Sequence, residues 1–248
     1  MPDHAITRFD SLDSTNTYAL EHLAELDDHT VILAETQTGG HGRFDRKWVS
    51  HIPDNVYISL VLKPDIPLDE NSPLANITQY MSVCICDVIE TYGVVGSIKW
   101  PNDVLVDGKK ICGLLSQTSI KDGRLAGYVL GLGINLNMPA EVLAAIDQPA
   151  TALNLVTHLP VNREGFLSRL LERFFKGYEA FLAQGFISIQ ERCTARSPLL
   201  GTQITVTLPD RQITGKAAAY DDRGRLQLIT DDGTIETLTI GDVALHNE

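Results

Sequence analysis

The middle of the chain holds strand-like segments joined by turns too short to contain a helix. Residues 104–106 and 111–117 flank Asp107-Gly108, and residues 127–135 follow the turn signal Asp122-Gly123. Two-residue turns of this kind join antiparallel neighbours, whereas parallel neighbours need a crossover of a dozen residues or more. The chain therefore reads as α+β, with a mixed or antiparallel sheet and helices on one side, and a doubly wound parallel sheet is disfavoured. Strands are also expected at 30–35, 56–62 and 97–100. Ser14 reads as the N-cap of a helix carrying Ala19, Leu20, Leu23, Ala24 and Leu26 at helical spacing. Ser72-Pro73 opens a second helix expected to run to about Tyr92 and to stop at Gly93. Residues 139–194 read as helical. Within them Phe166, Leu167, Leu170, Leu171, Phe174, Phe175, Tyr178 and Phe181 keep a 3.6-residue rhythm that marks a core face. Ser197-Pro198 ends this region. The short alternating segments 203–208, 213–220, 226–229 and 235–239 then read as a small β-barrel. This gives domains at 1–196 and 197–248.

The chain has 248 residues and a net charge of −12, which opposes nucleic-acid binding unless cations are gathered. They are gathered locally. Residues 36–63 carry Arg43, Arg46, Lys47 and Lys63 against Asp45 and Asp54, and residues 99–113 carry Lys99, Lys109 and Lys110 against Asp103 and Asp107. Such a zone suits a small anion better than a duplex. Cys84, Cys86, Cys112 and Cys193 form no metal-binding spacing and read as buried free thiols of a reducing, cytoplasmic compartment. The start Met1-Pro2-Asp3-His4 does not resemble a secretory signal, and no apolar run is long enough for a membrane helix.

Three segments can carry chemistry. The loop Gly39-Gly40-His41-Gly42-Arg43-Phe44-Asp45-Arg46-Lys47-Trp48 offers backbone N–H groups, two guanidinium forks for phosphate and an indole for stacking, and a plain connecting loop fits the glycines equally well. Lys99-Trp100-Pro101-Asn102-Asp103 ends a strand, with Lys110 and Gly113 downstream, and a solvated strand end is the bland alternative. In Gly131-Leu132-Gly133-Ile134-Asn135-Leu136-Asn137 the alternate glycines bare one strand face for a ligand or a second backbone.

In order, spacing and residue type these segments, with Ser14-Thr15-Asn16 and Gln37 ahead of them, resemble the biotin–protein ligases over nearly the whole chain. The string Lys99-Trp100-Pro101-Asn102-Asp103 with Lys110-Ile111-Cys112-Gly113 is its most specific part. The resemblance implies a catalytic module like that of class II aminoacyl-tRNA synthetases, followed by an SH3-like barrel. It implies ATP-dependent conversion of biotin to biotinyl-5′-AMP, with Mg²⁺ on the triphosphate, and then transfer to a lysine of a biotin carboxyl carrier protein domain. The motifs begin at residue 14, so the monofunctional type without an N-terminal winged helix, and hence no DNA binding, is expected. A homodimer is left open.

The resemblance assigns catalysis to Lys99 and Arg43. It places Ser14, Thr15, Asn16, Gln37, Gly40, Arg43, Trp48, Lys99, Gly113, Gly131 and Gly133 around biotin, and Arg43, Arg46, Trp48, Lys99, Asn102, Lys110 and Asn135 around the nucleotide. No metal ligand is assigned. His41, Phe44 and Asp45 depart from the usual loop, which carries more arginine and glycine. Two rivals remain: a lipoate or octanoyl ligase, and a biotin-binding sensor without catalysis.

Overall fold

The computed structural model describes residues 5–67, 72–121 and 124–245. The expected turn at Asp122-Gly123, the first four residues and the end of the polar loop at 64–71 lie outside them. Seven strands form the main sheet: β1 (Ile6–Leu12), β2 (Val31–Gln37), β3 (Val56–Leu62), β4 (Ser97–Lys99), β5 (Asp103–Val106), β6 (Lys109–Lys121) and β7 (Arg124–Ile134). Their order is β1-β2-β3-β7-β6-β5-β4. β1 runs parallel to β2 and every other pair is antiparallel, so the sheet is mixed.

Strand alternation gives the sheet two unlike faces. Leu130, Leu132 and Ile134 of β7 point into the large core beneath helices α2 (Ile77–Glu90) and α5 (Arg163–Gln184). The aromatic stripe of α5 lies in that core, as its rhythm predicts. The opposite face carries a smaller cluster of Ile32, Val61 and Val129 under Ala19 of helix α1 (Thr15–Glu21) and Leu23 just beyond its end. Helices therefore lie on both faces, not one, although α1 is short and shields only part of the second face.

Residues 139–194 are only partly helical. α3 (Ala140–Ala144) and α4 (Leu153–Thr157) are separated by an extended stretch in which Ala150 bridges Lys110, and α6 (Gln190–Ala195) follows α5. The C-terminal strands β8 (Gln203–Thr207), β9 (Gln212–Tyr220), β10 (Leu226–Ile229), β11 (Ile235–Leu238) and β12 (Asp242–Leu245) form an antiparallel sheet ordered β11-β10-β9-β8-β12. Its inner residues, among them Ile204, Val206, Leu226 and Leu228, join the large core. Among the described residues no helix is long and apolar enough to cross a membrane. All four cysteines are free and buried.

Asp87 ties α2 to α5 and α6. Its carboxylate accepts from Arg173 Nε at 2.6 Å and from Arg192, and Arg196 lies 3.3 Å away. Burial alone raises the pKa of this carboxyl, but the Arg192 and Arg173 hydrogen bonds outweigh it and the net shift is downward. The stabilisation is therefore complete above the ordinary carboxylate value of about 4 and is lost only as pH falls through the lower folded value. Asp87→Ala removes the carboxylate that Arg173 and Arg192 share, while Arg196 keeps Glu90 at 2.7 Å, and is expected to cost about 3 kcal/mol in urea unfolding at neutral pH.

Candidate active site

The register across the main sheet builds the floor of a cleft. One row runs Tyr57, Gly133, Gly113, Asp103, Lys99 across β3, β7, β6, β5 and β4. The next runs Ser59, Gly131, Leu115. The glycines leave a trough on the face that α1 covers only in part. A cleft lies over this trough and is walled by the N-terminus of α1 and the loop between β2 and β3.

The glycines serve the site's own side chains. A Cβ on Gly131 would lie 2.0 Å from Asn16 Oδ1, and one on Gly133 would lie 2.3 Å from Trp48 Nε1. Asn16 and Trp48 therefore seat against the bared strand, and any ligand rests on them and not on the glycines themselves. The Trp48 indole also spans Gly113, and its N–H is buried with no partner among the described residues.

One end of the cleft is polar and uncharged. Ser14 caps α1, its hydroxyl accepting from Thr17 N, so Thr15 and Asn16 enter the first turn. Gln37 Oε1 accepts from Thr15 N at 2.8 Å and lies 3.2 Å from Thr15 Oγ1. Asn16 Nδ2 donates to Leu115 O at 3.2 Å and to Gln117 Oε1 at 2.8 Å. Both Gln37 and Thr15 can present oxygen lone pairs to a ligand N–H.

The other end is charged. Lys110 Nζ pairs with Asp103 Oδ1 at 2.7 Å and lies 5.5 Å over the Trp48 ring. Arg43 donates to Asn102 Oδ1 at 3.3 Å and to Gly241 O at 3.1 Å. Asn102 in turn donates to Leu114 O, so it braces Arg43. Burial pushes the Arg43 guanidinium down, while Asp103 and Asp242 oppose that shift. Arg46 forks onto the Asp242 carboxylate at the start of β12, with one contact at 3.1 Å. A carboxylate thus occupies the geometry a phosphate would take on that arginine. His41 Nδ1 lies 3.0 Å from Gly39 O, and Phe44 adopts φ 56°, an uncommon value for a bulky residue, with its ring half in solvent.

The structure gathers Ser14, Thr15, Asn16, Gln37, Arg43, Arg46, Trp48, Asn102, Lys110, Gly113, Gly131 and Gly133 on the cleft. Three expected residues fall outside its lining. Lys99 stands at the far end of its row, beyond Asp103 and two strands from Gly113. Two strand spacings are about 10 Å, more than a lysine side chain spans, and Lys110 takes the place in the cleft that Lys99 was expected to fill. Asn135 is buried and donates to Thr151 O at 3.0 Å, fastening the stretch ahead of α4. Gly40 shapes the loop from behind, its carbonyl accepting from Trp48 N. Asp242, Leu115 and Gln148 line the cleft without having been singled out, and Asp103, quoted in its motif without a role, lines it too. Asp242 carried no local signal, because its partner Arg46 is 196 residues away.

Comparison with known proteins agrees with this architecture. Residues 8–135 match the biotin/lipoate A/B protein ligase family, and residues 199–245 match the biotin protein ligase C-terminal domain. The chain belongs to the biotin/lipoate A/B protein ligase family. It is 30% identical to the biotin–[acetyl-CoA-carboxylase] ligase of Paracoccus denitrificans, over 87% of this chain and 90% of that one. It is 33% identical to the bifunctional ligase/repressor BirA of Bacillus subtilis and spans 66% of that protein's length. The biotin protein ligase of Aquifex aeolicus, solved in complex with biotin and ATP, superposes with a TM-score of 0.81 at 27% identity, covering 98% of this chain and 99% of that one. The mixed sheet flanked by helices and the C-terminal β domain are the fold of that family.

Proposed function

We propose that the protein activates biotin with ATP and transfers it to a lysine of a carrier domain in a biotin-dependent carboxylase. One observation carries the reading: a single cleft joins a neutral wall of Thr15 and Gln37 to a cluster of four cations, Arg43, Arg46, Lys47 and Lys110. The neutral wall suits the ureido group, the Trp48 indole suits the apolar body of biotin, and the cations suit the carboxylate and the phosphates.

In the first step a biotin carboxylate oxygen bonds to the α-phosphorus of ATP, the α–β phosphoanhydride bond breaks, and pyrophosphate leaves. Two anions must approach each other. Lys110 stands where its ammonium can lie between them, and Arg43 and Arg46 hold the phosphates once Asp242 is displaced. In the second step the acceptor amine bonds to the carbonyl carbon, AMP leaves with the mixed-anhydride oxygen, and the amine loses a proton.

No group of three or more His, Cys, Asp or Glu residues suited to a metal occurs among the described residues. Asp103 and Asp242 line the cleft, and each already faces a cation. This donor set suits Mg²⁺ arriving on the triphosphate, with a cleft carboxylate as a further ligand, and not a resident ion. Bound there, Mg²⁺ would neutralise phosphate charge.

We further infer domains at 1–196 and 197–248, a cytoplasmic setting for the reduced cysteines, and no role in DNA binding for so acidic a chain. The outer edge of β6 beyond β5 is a place where a second copy could pair. Purified protein with ATP and Mg²⁺ is expected to release pyrophosphate when biotin is added and not when lipoate is added. Release with lipoate alone would assign the other branch of the family, and biotin binding without release would make the protein a sensor.

A further inference from the structure

The loop between β2 and β3 carries a strained, exposed aromatic ring at its tip. The loop closes as a narrow hairpin: His41 bridges Lys47, Trp48 N donates to Gly40 O at 2.9 Å, and Gly42 N donates to Arg46 O at 2.7 Å. Its tip, Arg43–Asp45, holds Phe44 at φ 56° and ψ 38°, in the left-handed region. That conformation is costly for a bulky side chain, and glycine or asparagine would adopt it more easily. The phenyl ring is also 54% exposed, so burial returns little. Its ring contact is with a cation: Arg43 Cζ lies 5.0 Å from the centroid. An exposed cation–π contact is weaker than the left-handed penalty it would have to offset. Strain retained by a bulky residue at the mouth of a cleft points to a ligand.

The ring is placed for a nucleobase. Phe44 lines the charged end of the cleft beside Arg43 and Arg46. In ATP the purine is joined to the α-phosphate through one ribose, so a base whose phosphates rest on Arg43 must settle close to that guanidinium. The other rings that line the cleft are committed. The Trp48 indole lies on the bared strands with Lys110 Nζ 5.5 Å over it, and His41 Nδ1 lies 3.0 Å from Gly39 O. Phe44 has Arg43 over one face and about half of its surface free, which leaves the second face for a flat ligand.

We propose that Phe44 is the stacking platform for the purine ring of ATP, so that neighbouring residues at one loop tip take the two ends of the nucleotide, Phe44 the base and Arg43 the phosphates. A phenyl face accepts any purine, so the platform adds affinity without selecting among bases. This inference rests on the ATP-dependent reading above.

The test compares a nucleotide with its phosphates alone. The whole protein, with saturating biotin and Mg²⁺, is titrated by calorimetry with α,β-methylene-ATP, which cannot release pyrophosphate, and with inorganic tripolyphosphate, which has no base. Phe44→Asn removes the ring with a residue that tolerates the left-handed tip. It is expected to lose about tenfold in affinity for the nucleotide, the size of one stacked base. Its affinity for tripolyphosphate is expected to stay within about twofold, which also shows that the loop and its arginines are intact. A second readout is spectroscopic. The triphosphate of 2-aminopurine riboside, whose emission falls when the base stacks, is expected to be quenched on wild type and not on Phe44→Asn. Equal losses for nucleotide and tripolyphosphate would make the ring a support for Arg43 alone, and unchanged affinity for both would leave it no part in binding ATP. Either result would overturn the inference and leave the biotin reading intact. A wild type that binds neither ligand would overturn both.

Discussion

Lys110→Ala is expected to slow biotin-dependent pyrophosphate release by a factor on the order of 100 or more, while Lys99→Ala leaves it within about threefold. The two lysines sit in one motif, and their geometry separates them. Lys110 places its ammonium 2.7 Å from Asp103 and over Trp48 in the cleft, whereas Lys99 occupies the edge strand beyond Asp103. Removing Lys110 does two things at once. It withdraws the cation between two reacting anions, and it unmasks the Asp103 carboxylate beside them. Lys110→Met combined with Asp103→Asn separates these effects, because the neutral asparagine removes the unmasked charge. The double variant is expected to recover about tenfold over Lys110→Met and to remain far below wild type. Stopped-flow measurement of the first turnover checks this directly. Equal losses in Lys99→Ala and Lys110→Ala would refute the assignment.

That pair of lysines also marks where reading the chain as a string stops. Motif order pointed to residues 99–113, but which lysine reaches the cleft depends on the sheet. β4 lies at the edge, and a register shift between Val104 and Leu105 resets β5 against β6. Neither is written in local composition. The stripe of α5 was legible because burial repeats every 3.6 residues along it. β1 was not, since Ile6, Phe9 and Leu12 are spaced by three and the strand sits at an edge with little to bury. β12 is four residues long and is held by pairing with β8, a contact absent from its own sequence. The alternation Gly131-Leu132-Gly133 correctly bared one face, but its occupants, Asn16 and Trp48, come from segments more than eighty residues away. Asn135 and Asn102 were both placed at the nucleotide by the family resemblance. Only the fold tells that the first is spent on Thr151.

Gly133→Ala is the sharpest test of how the cleft floor is built. Its Cβ would lie 2.3 Å, 2.4 Å and 2.8 Å from Nε1, Cε2 and Cζ2 of Trp48, closer than real contacts allow. The backbone on either side is a paired strand, so the indole must yield. The indole lies flat over the bared strands, since a Cβ on neighbouring Gly113 would also come within 3.0 Å of its Cζ3. The way open to it is to lift into the cleft, where biotin would rest. Overpacking of this kind costs about 1–3 kcal/mol, and here the cost falls on the ligand, whose affinity is expected to drop roughly ten- to a hundredfold. Stability is expected to change little, because alanine in a strand also reduces the freedom of the unfolded chain. In a Trp48→Ala background the added methyl group meets empty space, and Gly133→Ala is then expected to alter biotin affinity by less than about twofold. Calorimetric titration of the four proteins closes the cycle. If Gly133→Ala binds biotin as tightly as wild type, the indole does not form the floor on which the ligand rests.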